Sequence, residues 1–456
     1  MKGLGHKQFL LVAVAALAVV AIAGCTLGAG SPGTPTLSKG VITAKGSVWV
    51  NGVEYNDSSA AISVGGAANG SDADLKVGMV VEVKGASNTA GQGVASQILY
   101  AANLEGTVDA SPAIDTVTGV FYVFGHKIAT DPTTVFDGVT GLSGLAAGDR
   151  VEVSGIAGSG VLNASRVEKQ SSGGDFKIRG VVTGLPANPF TLTADDGTTV
   201  SVNVSSGTLD AAIVNTSRVL VDFTAWANPL VVTADKVHLI GELHADDNER
   251  TDVSGIVSGF VAGPPATFTV DGTSVSADAS LVAGVANGVK VEVQGTMSSG
   301  ILVADSVHVD QESNIEAEGT ASAVSAAAST ITLDGVVFTV SATTIYRDES
   351  SAAIEHFGIG NIAANDPLQI KGYVDTTTNT VVARRVERKS GIADTSLSAP
   401  VTAKGASTLT MAGITVDVSG LSNKAALLAV SLGTQVVVTG TVSGSTFTAT
   451  SGAIDN

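Results

Sequence analysis

The stretch GDRVEVSG at residues 148–155 decides the fold, because it has the pattern of a β-strand and recurs along the chain. Valines alternate with polar residues between two bounding glycines, which is typical of a half-buried strand. Close copies lie at 78–85 and 288–295, and looser copies lie at 366–372 and 433–440. One strand recurring at intervals of roughly 70 residues predicts tandem repeats.

Two further landmarks set the limits of each repeat. An alanine followed three residues later by an aliphatic residue comes after the glycine-bounded strand, as in Ala164 and Val167. A glycine opens each of the first five units: Gly40, Gly106, Gly180, Gly255 and Gly319. The predicted units are residues 40–105, 106–179, 180–254, 255–318, 319–396 and 397–456. The third is the most divergent, since its strand at 217–223 lacks the bounding glycines.

The second unit shows the strand order most clearly. Five strands are predicted, at 104–110, 120–124, 127–130, 150–154 and 161–169. The second and third strands form a hairpin, with turns such as Asn51-Gly52 and Asp334-Gly335 in sister units. Three strands, a long link and two more strands is the order of a five-stranded OB-like barrel. We therefore expect an all-β array of about six OB-like barrels, with small β-sandwiches or strands exchanged between units as the alternatives.

The same landmarks carry a family resemblance. They are joined by the motif TVF at 134–136, its counterpart TIY at 344–346, and ASRVE at 164–168. Together they resemble the bacterial family of the domain of unknown function 5666, whose members are small β domains, often in tandem on exported lipoproteins. The resemblance covers nearly all the chain after the N-terminus, and it implies no established activity, cofactor or catalytic residue.

The N-terminus predicts export and lipidation. A basic segment with Lys2 and Lys7 precedes an apolar run at 9–21, which is too short for a bilayer and suits a secretory signal. The sequence IAGC ending at Cys25 resembles the lipobox of bacterial lipoproteins. Cys25 is the only cysteine, so it has no disulfide partner within the chain. We expect a lipoprotein signal peptide over residues 1–24 and a lipid on Cys25 that attaches the protein to a membrane.

The residues after Cys25 extend this interpretation. Residues 25–39 are rich in Gly, Ser, Pro and Thr, which predicts a flexible tether. In Gram-negative lipoproteins, an aspartate directly after the lipidated cysteine resembles a signal for retention in the inner membrane. This chain has Thr26 at that position instead. The outer membrane is therefore the expected location in the cell envelope, on either its periplasmic or its outer surface.

Composition excludes some partners. The net charge is −18 for the whole chain, and it becomes more negative once Lys2 and Lys7 leave with the signal. Such a charge repels nucleic acid, and aromatic residues that could stack on bases make up only 4% of the chain. We therefore expect no nucleic-acid partner despite the OB-like strand order.

The repeats serve as an internal control on candidate sites. His238 and His308 follow the valine of the last strand, but equivalent positions hold Glu168 and Glu387, which indicates a polar, solvent-facing place. Three glutamates of the glycine-bounded strand should point out of their units: Glu82, Glu152 and Glu292. Other units have Gln369 or Val437 at this position, which disfavours a catalytic carboxylate. The sequence HADDNE at 244–249 offers oxygen ligands for a cation, yet its single occurrence favours a solvated linker.

No residue other than Cys25 is predicted to be functional, and no catalytic, cofactor-binding or metal-binding residue is expected. The leading hypothesis is a non-catalytic lipoprotein that acts as a spacer, scaffold or binding module. The alternative is specific binding of an envelope glycan or protein through one divergent unit, the third. An enzyme is the least favoured class, and the sequence gives no oligomeric state.

Overall fold

Each repeat forms a closed barrel with five strand positions, and barrels 1 and 3 contain additional short strands. The computed structural model describes residues 33–88, 91–158, 160–171, 173–205, 209–224, 226–228, 230–311, 313–354, 357–375 and 378–454. The predicted signal peptide, Cys25 and the first part of the predicted tether lie outside the described residues. The described part of the chain contains no helix with the length and hydropathy needed to cross a membrane.

The strands of the first three barrels follow the chain in order. Barrel 1 contains β1 (Thr34–Ala44), β2 (Val48–Val50), β3 (Val53–Asn56), β4 (Ala61–Val64), β5 (Ala67–Gly70), β6 (Val80–Ser87) and β7 (Gln92–Tyr100). Barrel 2 contains β8 (Leu104–Thr107), β9 (Val120–Val123), β10 (His126–Asp137), β11 (Arg150–Gly158) and β12 (Val161–Lys169). Barrel 3 contains β13 (Phe176–Thr183), β14 (Phe190–Ala194), β15 (Thr199–Val204), β16 (Arg218–Phe223), β17 (Trp226–Asn228), β18 (Val231–Ala234) and β19 (Lys236–Leu239).

The last three barrels are more regular. Barrel 4 contains β20 (Arg250–Val261), β21 (Ala266–Val270), β22 (Thr273–Ala277), β23 (Lys290–Ser298) and β24 (Ile301–Val309). Barrel 5 contains β25 (Ile315–Ser325), β26 (Thr330–Leu333), β27 (Val336–Asp348), β28 (Pro367–Asp375) and β29 (Thr380–Arg388). Barrel 6 contains β30 (Thr395–Lys404), β31 (Thr408–Met411), β32 (Ile414–Asp417), helix α1 (Lys424–Ala429), β33 (Gln435–Ser443) and β34 (Thr446–Ile454).

Barrel 4 shows the closure that the strand order predicted. β20 pairs antiparallel with β21 and with β23, β21 pairs with β22, and β23 pairs with β24. β22 and β24 are parallel. The circuit of first, second, third, fifth and fourth strands is the OB order. The other barrels close in the same circuit with their own strands, so the barrel prediction is confirmed and the sandwich and strand-exchange alternatives are wrong.

The repeated glycines are explained by two close approaches. The closing glycine of the fourth strand lies at a β-bulge against the fifth strand, as at Gly155 and Gly295. A Cβ there would overlap the carbonyl oxygen of Asn163 or Val303 respectively. The opening glycine lies under the hairpin turn, where a Cβ would overlap the first turn residue; the pairs are Gly40 with Asn51, Gly106 with Phe124 and Gly319 with Asp334. Glycine is therefore required at these positions by space.

Two of the sequence motifs meet in one hydrogen bond. The Thr134 hydroxyl donates to the carbonyl of Ala164 at 2.7 Å, and Thr344 makes the same bond to Ala383. The threonine begins the motifs TVF and TIY, and the alanine is the landmark of the fifth strand. The third strand of barrels 2 and 5 therefore continues past the predicted hairpin and pairs with the fifth strand again after an irregularity in register.

The barrels are joined through their first strands. β1 pairs parallel with β20, β8 pairs antiparallel with β13, and β25 pairs antiparallel with β30. Barrel 1 is thus paired with barrel 4, barrel 2 with barrel 3, and barrel 5 with barrel 6. The hydrophobic cores of barrels 2 and 3 are continuous, as are those of barrels 5 and 6. Residues 33–456 form one compact unit, so the barrels are packed together rather than strung out.

The predicted starts of the units and the predicted end of the tether need correction. Each first strand begins before its opening glycine, and β1 takes residues from Thr34 onward out of the predicted tether. Thr36 and Ser38 are buried there, with their hydroxyls within 3.2 Å and 2.8 Å of the Tyr55 hydroxyl. The composition of this segment is that of a linker, but β6 and β20 cover it on two sides. Tertiary pairing therefore overrides the local signal.

Candidate functional site between the barrels

The glycine-bounded strand sets the positions of three outward glutamates. The preceding glycine adopts positive φ, as at Gly148 (86°) and Gly288 (86°), and this turn starts the strand with its valines facing inward. The intervening glutamates point out of their barrels, as predicted. All three are nevertheless partly buried, because Glu82 and Glu152 lie against other barrels and Glu292 lines a cavity between barrels.

The surroundings of the three glutamates differ. Glu82 lies 3.5 Å from the Lys39 ammonium and accepts a 2.7 Å hydrogen bond from the backbone N–H of Leu243. Glu152 accepts a 2.7 Å hydrogen bond from the Tyr100 hydroxyl across the contact of barrels 1 and 2. Glu292 accepts only from Gln294, two residues along its own strand, at 3.2 Å among the described residues. Burial raises the pKa of Glu152 and of Glu292 above the ordinary value.

A cavity of about 270 Å³ lies where barrels 1, 2, 3 and 4 meet. Its charged side chains form a linked network. Asp195 receives hydrogen bonds from Arg179 at 2.6 Å and from Asn103 at 2.7 Å, and it lies 3.4 Å from Arg218. Burial acts to raise the pKa of Asp195, but the two arginines hold this pKa below its ordinary value. The charges of this cavity therefore neutralise one another and hold the barrels together.

A larger cavity of about 550 Å³ lies where barrels 1, 2, 4 and 5 meet. Its wall is mixed, with aliphatic, hydroxyl and charged side chains. Asp310 lies 3.0 Å from the Lys290 ammonium and 2.7 Å from the Arg384 guanidinium, so these two cations are occupied. Glu292, His308 and Tyr373 also line the cavity. We call this space the central cavity below.

The last-strand positions are less uniform than the sequence indicated. His308 is exposed, and His238 is partly exposed with its Nε2 3.0 Å from Asp222. Glu387 is buried (2% exposed), so the solvent-facing interpretation is wrong at that position. The reason is Arg385, which packs barrel 5 against barrel 2 and bonds Glu387 at the same time.

The polar run at 244–249 connects barrels 3 and 4, as predicted for a linker. His244 and Asp246 are exposed, but Glu249 is buried at 3% exposure. The Lys84 ammonium lies 3.2 Å from Asp246 and 3.4 Å from Glu249. A lysine thus balances these carboxylates. Within the described ranges, no group of three or more His, Cys, Asp or Glu side chains is placed to hold a metal ion. For the whole chain, the absence of a metal site stays a prediction.

Sequence reasoning missed a repeated arginine that joins barrels. Arg166 donates to the Val77 carbonyl of barrel 1 at 3.1 Å, and Arg385 donates to the Thr134 carbonyl of barrel 2 at 2.6 Å. Both arginines occupy the same place in the fifth strand. Each also bonds the glutamate two residues further along that strand. The shared letters RVE at 166–168 and 385–387 were the available signal.

Comparison with protein families agrees with the repeat pattern. The profile of the domain of unknown function DUF5666 matches residues 39–98, 105–168, 254–308 and 318–387, which is more than half of the chain. The chain belongs to this family. The four DUF5666 matches fall on barrels 1, 2, 4 and 5, and barrels 3 and 6 share their closed strand order without a match. A comparison with curated proteins gives no significant match.

Barrel 3 keeps the arginine that begins the fourth strand of barrel 2, Arg150, and departs from the repeat pattern in the turn before it. Arg218 stands at the start of its fourth strand and reaches Asp195 at 3.4 Å and Glu82 of barrel 1 at 3.7 Å. Thr216 replaces the turn glycine and adopts φ of 77°, an unfavourable conformation for a β-branched residue. Arg218 thus serves a contact between barrels, and the divergence at Thr216 lies in the turn before it.

Proposed function

We propose that this DUF5666 protein is a non-catalytic scaffold and binding protein of the bacterial cell envelope, held on a membrane by a lipid on Cys25. The anchor is supported by the basic segment, the short apolar run and the sequence IAGC at the N-terminus. Stable attachment needs more than one acyl chain, which the multiple acylation typical of bacterial lipoproteins would supply. Thr26 favours the outer membrane.

One observation carries the scaffold and binding role: six barrels form one compact unit with a central cavity between four of them. A spacer needs only a string of independent units. Here buried arginines, shared cores and paired first strands fix the barrels to one another. Fixed geometry favours a body that presents a ligand site or docking surfaces, with an envelope protein or glycan as partner.

The acidic charge supports the choice of partner class. At −18 the chain repels nucleic acid and anionic lipid surfaces. The charged groups of the smaller cavity pair with one another, within barrel 3 and from Arg218 to Glu82 of barrel 1, and this favours a structural role for them over catalysis. The alternative of binding through barrel 3 alone is not favoured, because the central cavity is lined by barrels 1, 2, 4 and 5.

Membrane fractionation with an acyl label tests the anchor. The parent chain should enter the detergent phase carrying label, and a Cys25→Ser chain should lose both properties. Acyl label on the Cys25→Ser chain would refute the anchor. Crosslinking in intact envelopes, followed by pull-down of the parent and of the released Cys25→Ser form, tests the scaffold role. A partner captured by the parent chain supports the role, and crosslinks to lipid alone would contradict it.

A further inference from the structure

The central cavity has the size and lining of a small-molecule site. Its volume of about 550 Å³ lies within the range of roughly 300–1,000 Å³ typical of ligand pockets. Ile156, Ile256 and Ile345 contribute apolar wall, and hydroxyl and amide groups come from all four barrels, among them Tyr373 and Asn163. A site built from four separate barrels exists only in the packed molecule.

Among the described residues, Glu292 differs from Glu82 and Glu152 in having a hydrogen-bond partner only on its own strand, Gln294, and none from another barrel. Its counterparts Glu82 and Glu152 are each satisfied from another barrel, by Lys39 with the Leu243 N–H and by the Tyr100 hydroxyl. No Lys, Arg or His nitrogen of the described chain lies within 4.0 Å of the Glu292 carboxylate. Glu82 and Glu152 therefore show that a glutamate at this position is bonded by a group from another barrel. At Glu292 the central cavity occupies the place of such a partner.

The neighbouring charges leave two carboxylates of the central cavity without an ion pair among the described residues. Lys290 and Arg384 both bond Asp310, which neutralises that group. Asp131 is exposed and accepts from the N–H and hydroxyl of Thr133, whereas Glu292 is partly buried, with the exposed His308 opposite it on the next strand. Burial raises the pKa of Glu292 above its ordinary value, although Gln294, His308 and Lys290 act to lower it. A buried carboxylate gains most from a cation that also donates hydrogen bonds.

We propose that the central cavity binds a small primary amine that carries hydroxyl groups, with its ammonium on Glu292 and its hydroxyls on Tyr373 and Asn163. An ammonium supplies the charge that Lys39 supplies to Glu82, and hydroxyls match the uncharged polar wall. The inference rests on the binding role proposed above but not on the lipid anchor, so its failure would leave the Cys25 result unaffected.

Isothermal titration calorimetry of the full chain in detergent tests the proposal with two probes. Glucosamine carries the ammonium, and N-acetylglucosamine is its neutral counterpart. We expect saturable binding of glucosamine and at least a tenfold weaker affinity for N-acetylglucosamine. Glu292→Gln should remove that preference, whereas the matched variant Glu152→Gln should retain it, because its carbonyl oxygen still accepts from Tyr100.

Several results would overturn the proposal. They are no saturable heat with glucosamine, equal affinity for the two probes, or an unchanged preference in Glu292→Gln. Circular dichroism and melting of each variant check that it is folded. Tyr373→Phe removes a single oxygen and should weaken glucosamine binding severalfold, and unchanged binding there would remove Tyr373 from the site and contradict the assigned pose.

Discussion

Replacing Arg385 by Met should open the contact between barrels 2 and 5. Arg385 is 6% exposed and donates to the Thr134 carbonyl of barrel 2 at 2.6 Å. It also bonds Glu387, which is 2% exposed. Met retains much of the side-chain volume, so the change removes mainly the charge and its donors. The buried carboxylate and the Thr134 carbonyl would then each lose a partner.

The expected cost is about 3 kcal/mol. Breaking a buried ion pair by removing one member costs about 3–5 kcal/mol. The lower end applies here because Lys389 remains 2.9 Å from Glu387. A loss of this size makes opening of the contact about a hundredfold more frequent, since each 1.4 kcal/mol is about tenfold.

Hydrogen exchange measured by mass spectrometry reads this local opening directly. When reclosing is faster than chemical exchange, amides of β10 and β29 should exchange about a hundredfold faster in Arg385→Met, whereas those of barrel 6 should change much less. Lys236→Met is the matched control, since Lys236 is exposed on barrel 3 and such a surface change stays within about 0.5 kcal/mol. Equal protection of β10 in the parent and in Arg385→Met would refute the role assigned to the arginine.

Three further changes test the local account. Thr216→Gly should raise the free energy of unfolding of barrel 3 by about 1 kcal/mol, because glycine relieves the strain at φ of 77°. Gly295→Ala should lower that of barrel 4 by about 3 kcal/mol, because the new Cβ would overlap the Val303 carbonyl oxygen. Burial raises the pKa of Asp334 to about 7, so the folded state holds this proton more tightly than the unfolded chain. The parent should therefore lose up to about 4 kcal/mol of stability as pH rises from 4 to 7. Asp334→Asn, which reproduces the Asn51 turn, should remove that loss.

Urea unfolding followed by circular dichroism measures these effects, with Gly420→Ala as the neutral glycine control because open space surrounds Gly420. A destabilised Thr216→Gly would show that the threonine side chain, rather than its backbone strain, matters there. An unchanged Gly295→Ala would contradict the account of the bulge. A parent whose stability is flat between pH 4 and 7 would contradict the assignment of Asp334.

The sequence was sufficient for the fold of each barrel, because the signals involved are local. Alternation in the strand at 148–155, the hairpin turns and the repeated glycines each report on the barrel that contains them. The five strands predicted in the second unit all exist, and the third runs on to Asp137. Its extension depends on the Thr134 bond to Ala164, a contact that spacing alone does not show.

The arrangement of the barrels could not be predicted in the same way. Pairing of β1 with β20 joins residues about two hundred positions apart, and nothing in the chemistry of Thr36 or Ser38 announces a buried strand. The central cavity depends on that pairing and on Arg384 and Arg385, so its residues could not be grouped from the sequence. The prediction that Glu292 points outward was correct, yet its surroundings follow only from the packing of four barrels.

Small-angle X-ray scattering of the soluble fragment from residue 26 tests the central claim, that the barrels form one body. A compact chain of this length has a radius of gyration of about 22 Å. We predict a value close to this, with a single maximum in the pair-distance distribution. A radius of gyration near twice that value, with the signature of separate units of about 11 Å, would show independent beads and contradict the account.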